Sequence, residues 1–199
     1  MMRWLLPISA LVWLISFAVV VHLQSWLLLV GVGPTLAALR LTLDPSARTL
    51  LRPNLRLVAL GVIGALVMIA ATYLVYALAS SWLPWLAPAT SRLYGLLGKT
   101  AQDGGITLVA LLSVVVVSEE VIFRSEVPPL RAWWRETLVA SLIYALAHIT
   151  SQDILLVSVA FLCGLIWTAL RLLTRSLVPS LLVHLAWDLA VLVVQPLAP

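Results

Sequence analysis

The chain has 199 residues, of which 63% are hydrophobic and only 10% charged, and its mean hydropathy is +1.12. That leaves too little polar surface to coat a water-soluble globule, so a soluble domain is excluded and an integral membrane protein is implied. Twelve Lys and Arg against eight Asp and Glu give a net charge of +4, which in so apolar a chain carries topology information and implies no nucleic-acid partner. The single cysteine, Cys163, excludes an internal disulfide and a Cys-based metal cluster.

A bilayer core needs roughly 20 apolar residues per helix, and seven stretches of that kind are bounded by charge, Pro, Gly or Trp. They run from Trp4 to His22, Ser25 to Leu43, Leu57 to Ala79, Ile106 to Val127, Trp133 to Ile149, Ile154 to Leu173 and Leu177 to Gln195. The fold class is therefore all-α, a polytopic membrane protein of about seven transmembrane helices. The first stretch is too long for the apolar core of a secretory signal and no small-x-small cleavage site follows, so it reads as a retained helix. Alternating helices put Arg3, Arg40, Arg48, Arg52, Arg56, Arg124, Arg131, Arg135, Arg171 and Arg175 on one side, leaving only Arg92 and Lys99 on the other. This asymmetry predicts a cytoplasmic N-terminus. The bias to Arg over Lys suggests a prokaryotic plasma membrane. Between Ser80 and Gly105, Trp82, Trp85 and Tyr94 suggest an interfacial loop or amphipathic turn. His22 reads as an interface residue and Cys163 as a packing residue.

Ionisable side chains inside apolar spans are costly, about 2.5–3.5 kcal/mol each at mid-bilayer on insertion scales, so each needs a reason. Glu119, Glu120 and Arg124 close the fourth span, His148 ends the fifth, and His184 and Asp188 lie inside the seventh. In an α-helix residues i and i+4 share a face, which pairs Glu120 with Arg124, Tyr144 with His148 and His184 with Asp188, and leaves Glu119 turned away as the free carboxylate. On this reading Asp188 accepts from one His184 nitrogen and sets which nitrogen faces the site. A carboxylate held by one histidine can activate a water for attack on an amide, and a second histidine can stabilise the oxyanion. Such a chamber must be lined by protein, because lipid satisfies no polar group.

At these residues the sequence resembles the CAAX-protease and bacteriocin-processing family of intramembrane glutamate proteases, which includes the type II CAAX prenyl endopeptidases. The pattern Glu-Glu-x-x-x-Arg, Phe-x-x-x-His, a glycine-bearing helix, and His-x-x-x-Asn appears as Glu119-Glu120…Arg124, Tyr144…His148, Phe161…Gly164 and His184…Asp188. The resemblance divides the chain into accessory N-terminal helices with an outer interfacial loop over 1–105, and a CAAX-protease-like core over 106–195. It implies an endopeptidase without cofactor or metal, in which Glu119 activates water with His148, Glu120 and Arg124 support the site, and His184 with residue 188 stabilises the oxyanion. The implied partners are a peptide or membrane-protein substrate and the bilayer. The oligomeric state is not legible. Asp188 departs from the family's Asn, and Thr168 stands where a second glycine is expected. An ionised Asp would repel an oxyanion, so Asp188 is protonated, or it orients His184, or the activity is weak.

Two other readings stay open. Glu119, His148 and His184 form an acceptable zinc set with Glu120 as base, although no His-Glu-x-x-His occurs. A non-catalytic module that binds or protects a partner, as in bacteriocin self-immunity, would use the same scaffold. His148 could also be an interfacial histidine bonded to Gln152 or Asp153. Depth raises a further tension: at 1.5 Å per residue Glu119 and His184 lie roughly 10–12 Å from the cytoplasmic side while His148 lies near the outer end of its span, a mismatch approaching 10 Å. A fifth helix that begins as an interfacial segment through Arg131–Glu136, or one that tilts, would remove it.

Overall fold

The computed structural model describes residues 5–23, 26–95, 105–126 and 132–197. Among them the chain forms nine helices and connecting turns, with no strand: α1 (Leu5–Leu23), α2 (Leu27–Leu43), α3 (Pro45–Thr49), α4 (Leu55–Trp82), α5 (Leu86–Gly95), α6 (Gly105–Glu119), α7 (Trp133–Leu146), α8 (Ile154–Thr174) and α9 (Val178–Leu189). Arg3, Trp4, Ser25, Lys99, Val127 and Arg131, which entered the span and charge assignments, lie outside the described residues.

Each of the seven apolar stretches contains a helix, and four helices are long and apolar enough to cross a membrane: α1, α4, α6 with its continuation to Arg124, and α8. The second and seventh stretches are shorter apolar helices, Leu27–Leu43 and Val178–Val194. α7 is the exception. It has 14 residues and so rises about 21 Å, short of the roughly 30 Å hydrocarbon core. Its exposed Trp133 and Trp134 mark one end as interfacial, and the other end stops inside the bundle in a turn at Ala147–His148. The segment after Ser80 is only partly a loop, because α5 is a 10-residue helix that buries Ala89 and Thr90.

Polar residues at the helix starts do capping work. Asn54 accepts from the Leu57 amide at 2.9 Å at the head of α4, and Asp153 accepts from the Leu155 and Leu156 amides at 2.8 and 3.1 Å at the head of α8. Asp44 does the same for Ser46 at α3.

The helices pack through small residues, as expected where lipid provides no hydrophobic drive between them. A Cβ on Gly61 of α4 would lie 2.8 Å from Leu182 and 3.2 Å from the Pro179 backbone, so this glycine lets α4 and α9 meet closely. Gly33 of α2 sits against Ser118 of α6 in the same way, with a Cβ only 2.9 Å from the Ser118 hydroxyl. α6 lies at the centre of the bundle, with 61% of its apolar stretch buried against 17% for α4.

Candidate active site

Both helices that carry the intramembrane charges leave the α-helical path where those charges occur. α6 passes into a π-helical turn at Glu120–Arg124, and α9 into another at Ala190–Val194. Such turns carry an extra residue per turn, disturb the i,i+4 register and free backbone carbonyls.

Glu119 is almost fully buried, and both of its carboxylate oxygens are engaged. The Tyr144 hydroxyl donates to Oε2 at 2.7 Å, and His148 Nε2 lies 3.3 Å from Oε1. His148 Nδ1 lies 2.9 Å from the Tyr144 carbonyl, an acceptor only, so Nδ1 carries a proton and Nε2 faces Glu119. The expected depth mismatch does not exist: the short α7 ends within the bundle and delivers His148 to Glu119. The expected alternatives were Gln152 and Asp153; His148 instead meets the Tyr144 carbonyl and Glu119, and Asp153 is occupied as the α8 cap.

His184 approaches from α9. Its Nδ1 donates to Glu120 Oε1 at 3.0 Å, and its Nε2 stands 3.7 Å from both Glu119 Oε2 and Asp188 Oδ2. The partner that fixes the His184 tautomer is therefore Glu120 and not Asp188. Glu120 does pair with Arg124 as expected, at 3.6 Å, yet it serves the histidine with the same oxygen, and Glu119 is not free. The i,i+4 rule counts partners on one helix only, whereas Glu120 reaches His184 from a different helix, 64 residues away in sequence.

Aromatic rings complete the shell. The Arg124 guanidinium lies 3.9 Å from the Tyr144 ring centroid, and Trp167 of α8 stacks on His184 at 3.5 Å with 19° between planes. Gly164 makes room for Tyr144: a Cβ there would come within 3.3 Å of its ring. The Tyr144 hydroxyl and the Trp167 stack were not legible in sequence. Tyr144 reads as a conservative replacement of Phe, and only its bond to Glu119 gives the hydroxyl a purpose. Trp167 has no signal beyond its position one turn after Gly164.

These groups border a cavity of about 130 Å³. Glu119, Tyr144, His148, His184 and Asp188 form its polar end, while Phe17, Trp26, Leu93, Leu156 and Leu192 line the rest. A water needs roughly 10–15 Å³ of such space and two or more polar partners, so the polar end can hold water. Among the described residues no three His, Cys, Asp or Glu side chains are disposed to hold a metal ion.

The second π turn is held by tyrosines of the N-terminal half. Tyr73 of α4 donates to the Ala190 carbonyl at 3.1 Å and Tyr94 of α5 to the Val191 carbonyl. Trp187 Nε1 also donates to Thr72 at 2.8 Å, fixing α9 against α4 beside Asp188.

Residues 102–190 match the Rce1-like family, type II CAAX prenyl endopeptidase Rce1-like. No curated protein and no solved structure matches the chain. The matched segment contains every charged and histidine side chain of the cluster described above, and the family is one of peptide hydrolases. The match spans a little under half of the chain, and together with the long apolar helices it points to an integral membrane protein.

Proposed function

With an Rce1-like segment as the premise, we propose that this protein is an intramembrane endopeptidase in which Glu119 activates the attacking water without a covalent enzyme intermediate. The observation that carries this reading is the grip of Tyr144 and His148 on the two oxygens of Glu119, with His184 Nε2 3.7 Å from Oε2, all bordering a cavity with room for water. Glu119 takes a proton from water as the oxygen attacks the amide carbon. His148 Nε2, 3.3 Å away, is placed to receive that proton and pass it to the leaving amine. Catalysis of this kind contributes typically 10²–10⁴-fold.

His184 faces the cavity with Nε2 because Glu120 holds Nδ1. In its doubly protonated form that Nε2–H points between Glu119 and Asp188, where the carbonyl oxygen of a bound peptide gains charge. Glu120 and Arg124 act through His184 and the π turn and touch no reacting atom. Asp188 takes part as a neutral carboxylic acid donating to the same oxyanion, a role that Asn fills with its amide in the family pattern.

Asp188 also keeps a second reading alive. An ionised carboxylate facing the cavity favours a binding or self-immunity module over an enzyme. Cleavage of a membrane-anchored peptide by purified protein, beside Glu119→Gln and His184→Ala, separates the two. Cleavage by the wild type that both variants lose supports the protease. Equal behaviour of all three proteins sinks it. Activity that disappears on exhaustive chelation and returns with zinc would move the chemistry to the metal reading.

A further inference from the structure

Arg40 lies on α2, outside the segment that matches the protease family, and its charge reads in sequence as one more topology signal. The structure gives it another position. Arg40 is 6% exposed and shares one face of α2 with Gly33 and Ala37, the face turned toward α6. Its Nε donates to Ser125 Oγ at 3.0 Å, and its Nη1 and Nη2 pair with Glu126 and Asp44 at 2.9 Å each. Ser125 in turn donates to the Val121 carbonyl inside the π turn.

The two contacts of α2 fall on either side of the catalytic segment. Gly33 touches Ser118, the residue before Glu119, and Arg40 grips Ser125 and Glu126, the residues after Arg124. Gly33 and Arg40 are separated by about 10 Å along a helix, the same span that seven residues of α6 would cover as regular helix. α2 therefore meets α6 on both sides of the π turn, by close approach at Gly33 and by polar contacts at Arg40. A π turn has weaker local support than an α-helical one, and an external brace supplies what its own backbone lacks.

We infer that Arg40 is a positioning residue for the protease site: by donating to Ser125 and ion-pairing with Glu126 it holds the π turn that aims Glu119 and Glu120 at His148 and His184. The inference rests on the proposed protease reading for its kinetic consequence but not for its structural one. Misplacement of a catalytic group by about 1 Å can cost on the order of 100-fold, so loss of the brace should be visible in kcat.

The test uses full-length protein in detergent with two readouts, peptide cleavage and ¹⁵N NMR of the histidines, of which the chain has three. Arg40→Gln should lower kcat on the order of tenfold or more with KM within about twofold. It should also shift the His184 Nδ1 resonance away from that of an imidazole held by a carboxylate. Arg40→Lys, which keeps the charge but not the three-way fork, should recover only part of both effects. Arg52→Gln, at an exposed arginine of the α3–α4 connection, should leave both unchanged. If Arg40→Gln does not fold, Glu126→Gln, which removes a single partner, must show the same two changes at smaller size. Wild-type kcat and an unmoved His184 resonance in the folded variant would overturn the inference. If the wild type cleaves no peptide, the protease reading fails while the His184 resonance still decides the brace.

Discussion

α4 and α6 are both long, apolar and uninterrupted by charge over most of their length, yet they occupy opposite environments. α4 buries 17% of its apolar stretch and touches its neighbours mainly through Gly61, Ala65 and Met68, whereas α6 buries 61% and carries Glu119 and Glu120 into the middle of the bundle. Hydropathy does not separate a lipid-facing helix from a central one, because lipid and protein interior are equally apolar solvents for Leu and Val. The polar residues do separate them. Where a helix carries carboxylates it must be wrapped, since lipid offers them no partner.

The contrast can be broken most directly at Glu119. Glu119→Gln should reduce peptide cleavage by about 10²–10⁴-fold while the protein remains folded, whereas Leu66→Ala on the outer face of α4, a residue 64% exposed, should change stability by no more than about 0.5 kcal/mol and leave kcat alone. Comparable losses for both would show that the site lies elsewhere. Next in size is Gly61→Val, which tests whether α4 matters only where it meets α9. Overpacking against Leu182 and Pro179 should cost about 1–3 kcal/mol, seen as a lower Tm, and should weaken cleavage because His184 rides on the displaced helix.

Asp188→Asn sharpens the comparison inside the site. If Asp188 serves as a neutral donor, wild-type cleavage falls as pH rises and the proton is lost, whereas the Asn variant, whose amide cannot lose its donor, is several-fold more active at high pH. A pH–rate profile of the two proteins checks this. An Asn variant with the wild-type profile would remove Asp188 from the oxyanion.

The smallest effect belongs to Asp44, which lies outside the spans between α2 and α3. The Ser46 hydroxyl bonded to its carboxylate, helped by the Arg40 charge, holds its pKa below the ordinary value of 3.8. A lowered folded-state pKa stabilises the fold above the unfolded value and loses that effect as pH falls through the folded one. The Tm difference between wild type and Asp44→Asn should therefore be small and constant at neutral pH and disappear as pH falls through the lowered folded-state pKa.

Much of the site was legible because each of its ionisable residues is out of place in an apolar span. Glu119, His148, His184 and Asp188 could be picked out singly on that ground, and their spacing carried the family resemblance. Their partners were harder to read. Pairing by i,i+4 assigned His184 to Asp188 on its own helix, and the packing of α9 against the end of α6 put Glu120 in that place instead. Nothing in Glu-Val-Ile-Phe-Arg announces a π turn, since it is stabilised by contacts 85 residues away in sequence, through Arg40. α7 ends at Leu146 although Ala147-His148-Ile149 is apolar enough to continue a helix, and His148, in the turn that follows, bonds the Tyr144 carbonyl and faces Glu119.

By itself the sequence determined that the chain is a helical membrane protein with acids and imidazoles inside its apolar stretches, because insertion free energies depend on composition and period and not on neighbours. Which nitrogen faces which oxygen was decided only by the tertiary structure. Those contacts depend on how α2, α6, α7 and α9 cross, and crossing is set by small residues such as Gly33 and Gly61 whose partners lie far along the chain.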